Sequence, residues 1–156
     1  MVTLVKSPVM EKQKSLRVFL FGNNPSDLSN IYDQMTSIRK IKFITDYSFD
    51  FKNLLTRITK FNPDCLLIDD NMEKNDLKKL LSLLKGNQKT KRIPITIVQH
   101  TNRDDMPREG AEGFILKQTL TAESLLTTIL SSMKAHDLQD YLKDSYSRRK
   151  RILVNK

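Results

Sequence analysis

The stretch Asn62-Pro63-Asp64-Cys65-Leu66-Leu67-Ile68-Asp69-Asp70 constrains the fold more than any other part of the chain. Four apolar residues in succession, with no polar break, read as a strand covered on both faces, the state of a central strand in a parallel sheet. Such a strand requires helices above and below it. It ends in two carboxylates, and in open α/β sheets ligands gather outside the carboxyl ends of the strands. Asp69 is therefore the reference point for any chemistry.

The other apolar segments supply the partners this strand needs. Leu16 to Phe21 forms a first strand, stopped by Gly22-Asn23-Asn24-Pro25. The same stop starts a helix: Asn24 is a capping residue, Pro25 suits the first helical position, and Asp27 favours the positive end of the helix dipole. Leu28, Ile31, Met35 and Ile38 continue it at helical spacing. Ile41 to Thr45 alternates as a strand nearer the edge, and Phe51, Leu54, Leu55, Ile58 and Phe61 mark a second helix. Leu77, Leu80, Leu81 and Leu84 make a third stripe that ends near Gly86-Asn87, as helix C-termini often do. Ile93 to Val98 is a fourth strand. The polar stretch from Gln99 to Gly110 leaves room only for a short or missing fourth helix. Phe114 to Leu116 is a fifth strand, and Leu125, Leu126, Ile129, Leu130 and Met133 give the last core helix. Short apolar strands alternating with helical stripes specify an α/β fold, a right-handed, doubly wound parallel sheet of five strands.

A chain of 156 residues, 38% hydrophobic and 29% charged, fits one domain with a real core. The expected boundaries are a flexible leader over 1–15, the domain over 16–134, and a helical basic tail or linker over 135–156. Apolar runs of four or five residues are far too short to span a membrane, and the first nine residues lack the hydrophobic length of a signal peptide, so a cytoplasmic location is expected. Cys65, the only cysteine, lies within an apolar run and is expected as a buried, reduced core thiol. His100 and His136 have no partners at metal-ligand spacing and read as surface histidines. The four glycines form no phosphate-cradling loop, and no serine sits in a nucleophile elbow, so no enzyme is expected.

The formal net charge is +9. Lys85, Lys89, Lys91 and Arg92 cluster before the fourth strand, and Arg148, Arg149, Lys150, Arg151 and Lys156 fill the last twelve residues with no acid among them. These runs fit either solvated faces or contact with phosphates of nucleic acid, though no recognition-helix motif accompanies them. Leu138, Tyr141, Leu142 and Ser145 keep a helical spacing onward from Met133. A helix that runs on in this way offers a stripe for a homodimer or a link to another domain.

Several motifs in order and spacing resemble the response-regulator receiver domain, the CheY-like phosphoacceptor module of two-component signalling, over about residues 16 to 134. Arg17-Val18-Phe19-Leu20-Phe21 with Pro25 is similar to the family's first strand and turn. Pro63-Asp64-Cys65-Leu66-Leu67-Ile68-Asp69, then Met72 and Asp76, is similar to its central strand and following loop, the most specific piece. Ile93-Pro94-Ile95-Thr96-Ile97-Val98 resembles the fourth strand, and Gly110-Ala111-Glu112-Gly113-Phe114-Ile115-Leu116-Lys117 the fifth. The resemblance implies a flavodoxin-like strand order 2-1-3-4-5. It implies that Asp69 is the phosphoacceptor position, that Lys117 contacts the acceptor and phosphoryl group, and that Asn71 supplies a backbone carbonyl to Mg²⁺. A histidine kinase or an output protein is the implied partner.

The departures from the family pattern matter as much. Its two acidic metal ligands after strand 1 fall on Gly22 and Asn23, and its switch hydroxyl falls on Gln99, with Thr101 close by. Glu73 and Gln118 replace two prolines, and the segment from Gln99 to Gly110 is short. Mg²⁺ dehydrates reluctantly and is held through carboxylates. A set made of Asn23, Asp69 and Asn71, with Asp70 pointing to the opposite face as a solvated or helix-contacting acid, should hold it weakly. Phosphoryl transfer depends on that charge neutralisation. The expectation is a pseudo-receiver acting by protein contact. The alternatives are a working phosphoacceptor receiver and a nucleic-acid binder using Arg148, Arg149, Lys150 and Arg151.

Overall fold

The computed structural model describes residues 14–100 and 106–154. Most of the expected leader, Thr101 and Lys156 lie outside the described residues, as do the side chains of Arg148, Arg149, Lys150 and Arg151. Five strands form one sheet: β1 (Lys14–Phe21), β2 (Ile41–Ser48), β3 (Cys65–Asp69), β4 (Ile95–Gln99) and β5 (Gly113–Leu116). All neighbouring pairs are parallel, in the order 2-1-3-4-5. This is the flavodoxin-like arrangement read from the sequence.

Among the described residues, four α-helices cover the sheet: α1 (Pro25–Thr36), α2 (Leu54–Phe61), α3 (Lys74–Gly86) and α4 (Ala122–Val154). Alternation along the strands sorts the core into two layers, because successive side chains leave opposite faces. Phe19, Phe21, Leu66, Ile68 and Ile97 pack with Leu54 and Ile58 of α2 and Leu77, Leu80, Leu81 and Leu84 of α3. Val18, Leu20, Cys65, Leu67 and Val98 pack on the other side with Leu28, Ile31 and Met35 of α1 and Leu125 and Ile129 of α4. All five residues of β3 are buried. Burial pushes the Cys65 thiol up to about 12, keeping it an inert part of this layer.

Element ends differ from the sequence reading by a few residues, for local reasons. β1 begins at Lys14 instead of Leu16 because Lys14 and Ser15 pair with Ile41 and Lys42, and β2 continues past Thr45 until Phe21 meets Ser48. α2 starts at Leu54, after Asn53 in the left-handed region, while Phe51 stays outside it and stacks on Phe21 with ring centroids 5.2 Å apart. Among the described residues, no helix lies between β4 and β5.

Gly113 shows how closely α4 seats on the sheet. Ser132 of α4 and Thr96 of β4 are joined by a 2.7 Å hydrogen bond, and a Cβ on Gly113 would collide with Ser132 Oγ. Beyond His136, α4 runs on as one helix, with Leu138, Tyr141 and Leu142 exposed. At about 1.5 Å per residue, its 33 residues span about 50 Å. No helix among the described residues is long and apolar enough to cross a membrane.

Candidate functional site

Three chain segments meet at the carboxyl ends of the strands. β3 delivers Asp69, which is 1% exposed. β5 runs directly into a 3₁₀ turn, Lys117–Thr119, and so delivers Lys117. The turn after β1 starts α1: Asn24 Oδ1 accepts from the backbone N–H groups of Ser26 and Asp27, and Pro25 occupies the first turn. This cap aims Asp27 at the same spot.

The Lys117 ammonium is the hub. It donates to Asp69 Oδ1 at 3.0 Å and Oδ2 at 2.8 Å, and to Asp27 Oδ2 at 3.0 Å. Asn71 ties the two carboxylates together from the side, its backbone N–H donating to Asp69 Oδ1 at 3.0 Å and its amide nitrogen to Asp27 Oδ2 at 3.2 Å. His100 Nδ1 lies 3.2 Å from the ammonium. Burial alone would raise the Asp27 carboxyl, but hydrogen bonds from Lys117 and Asn71, together with the nearby positive charge, outweigh it and hold the group below its ordinary value.

Asp69, Asn71 and Lys117 are thus brought together. Asn23 is exposed and takes no part, since its neighbour Asn24 makes the cap. Gln99 ends β4, buried and in register with Leu116, one residue before Lys117. Gly22 admits little else: a Cβ there would stand 3.0 Å from Asp69 Cβ and 3.1 Å from a Leu28 methyl.

Two expectations need correction. Asp70 is buried, and its Oδ1 accepts from the His100 backbone N–H at 2.7 Å, because β4 extends alongside it. His136 is buried against Glu112 at 2.9 Å, where α4 covers the start of β5. His100, exposed as expected, nevertheless borders the Lys117 hub. Asp27, read from sequence only as a helix-dipole residue, is the functional residue that reading missed. The available signal was its place on the helix that starts over the carboxyl ends of the strands, where side chains from separate loops converge.

Two carboxylates, Asp27 and Asp69, meet at this site. Among the described residues, no group of three or more His, Cys, Asp or Glu side chains is placed to hold a metal ion. Both carboxylates accept from the Lys117 ammonium.

No family model matches the chain, and no curated protein matches it. Solved structures do. A response regulator from Desulfuromonas acetoxidans aligns with a TM-score of 0.62 at 18% identity, over 77% of this chain and 98% of its own. The response regulator domain of CheB from Thermotoga maritima aligns at 0.59 and 18%, over 78% and 98%. A signal receiver domain of a two-component histidine kinase from Clostridium thermocellum aligns at 0.59 and 17%, over 76% and 98%. The chain therefore has the receiver fold.

Proposed function

We propose that this chain is a receiver-like signal-transduction module of the two-component type that acts by protein–protein contact, with phosphoryl transfer at Asp69 weak or absent. One observation carries the reading: the Lys117 ammonium is held between Asp69 and Asp27. Phosphoryl transfer relies on positioning and on neutralising the charge of the moving group. Here both Asp69 oxygens already accept hydrogen bonds, and the cation beside them is a fixed lysine. In this reading Lys117 supplies the neutralising charge beside Asp69 that a metal would otherwise supply.

The contact surface in this reading is the β5 edge with α4. Phe114 and Leu130 are exposed there, and Leu138, Tyr141 and Leu142 prolong the apolar exposure along the helix. A histidine kinase, an output protein or a second copy of the chain is the class of partner such a face would serve. The test is incubation with acetyl phosphate and Mg²⁺, followed by intact-mass measurement. An unmodified chain is expected. Stoichiometric phosphorylation that disappears in Asp69→Asn would overturn the proposal.

A further inference from the structure

At the end of the sheet opposite Asp69, a second cluster surrounds a cavity of about 530 Å³. The C-terminal end of α3, the loop before β4, the loop before β5 and α4 all contribute to its wall. Glu112 and His136 line it, both side chains at least nine-tenths buried. Glu112 Oε1 accepts from the Ile95 backbone N–H at 2.9 Å, while Oε2 meets His136 Nδ1 at 2.9 Å and Lys85 Nζ at 3.5 Å. Lys91, Arg92 and Lys143 complete the wall. Gly110, at φ 93°, lets the Lys85 stem pass: a Cβ there would sit 2.9 Å from Lys85 Cγ.

The charge is lopsided. Among the described residues that line the cavity, four permanent cations face one carboxylate, and that carboxylate is already occupied by Lys85, His136 and a backbone N–H. Among the described residues, no salt bridge neutralises Lys91, Arg92 or Lys143. Like charges gathered around a low-dielectric concavity focus a positive potential and concentrate anions there. Lysine and arginine are also the side chains that bind phosphoryl oxygens by charge-assisted hydrogen bonds.

We infer that this cavity binds a small phosphorylated molecule carrying at least two negative charges, held by Lys85, Lys91, Arg92 and Lys143 above a floor set by Glu112 and His136. A small ligand fits better than a nucleic-acid strand, because the cations ring a bounded cavity. The volume lies within the roughly 300–1,000 Å³ of small-molecule sites, whereas a strand is tracked by an extended groove with aromatic platforms.

The test is calorimetric titration of the full chain with inorganic pyrophosphate at constant ionic strength. One saturable site is expected. Lys91→Glu and Lys143→Glu, both at exposed positions, should each weaken it about tenfold, as loss of one charge-assisted hydrogen bond implies. Lys42→Glu makes the same charge change on β2, at the opposite edge of the sheet, and should leave affinity unaltered. Absence of saturable binding, or equal weakening by Lys42→Glu, would overturn the inference, the latter by showing only diffuse attraction. So would a single-stranded oligonucleotide that binds more tightly and displaces pyrophosphate. The titration reads binding at the amino ends of the strands, while the acetyl phosphate assay reads modification at Asp69, so this site and the Asp69 reading fail or stand independently.

Discussion

The two ends of the sheet each bury a carboxylate beside a lysine and a histidine, yet with opposite balances of charge. At the carboxyl ends of the strands, Asp69 and Asp27 share one ammonium, and the Asn71 amide groups bind both. At the amino ends, Glu112 stands alone among Lys85, Lys91, Arg92, Lys143 and His136. An acid-rich cluster around one cation closes on itself, since every charge already has a partner. A base-rich cluster around one acid remains receptive to anions. The same ingredients therefore make a latch at one end and a receptor at the other.

Lys117→Met breaks the comparison at its most sensitive point. It strands the fully buried Asp69 charge, so a loss of about 3–5 kcal/mol is expected in denaturant unfolding. A loss within error of zero would show that the ammonium is not latching the site. Glu112→Gln probes the other end and should cost less, about 1–2 kcal/mol. The amide oxygen still accepts from the Ile95 N–H, and the cations it releases border an open cavity. Equal losses for the two variants would mean that both ends are latches.

The smallest effect concerns acid. Because the folded Asp27 carboxyl lies below its ordinary value of 3.8, its stabilising contribution is complete above that pH and is lost as the pH falls below it through the folded value. Asp27→Asn should therefore lose less stability than the parent chain over that acid range. An unchanged acid limb in unfolding curves would detach Asp27 from the hub.

Much of the fold was legible in the residues. The apolar run of β3, the alternation in β1 and the helical stripes on α1 and α3 are local patterns, and each reports directly which faces are buried. The helix start at Asn24-Pro25 was legible too, because a cap is a local hydrogen-bonding device. Strand ends were less so: the start of β1 and the end of β2 depend on register between segments far apart in the chain. The burial of Asp70 and His136 was hidden for the same reason, as each is covered by an element remote in sequence.

By itself, the sequence determined the layered α/β architecture and the position of Asp69 at the mouth of the central strand, and its resemblance to receiver domains implied the arrival of Lys117 beside it. Only the tertiary structure decided that Asp27 joins them and that Glu112 meets His136 within a ring of cations. Periodicity encodes which side of an element faces the core, a property of neighbours along the chain. The pairing of charges 90 residues apart, as between Asp27 and Lys117, is settled only once the sheet has brought its strand ends together.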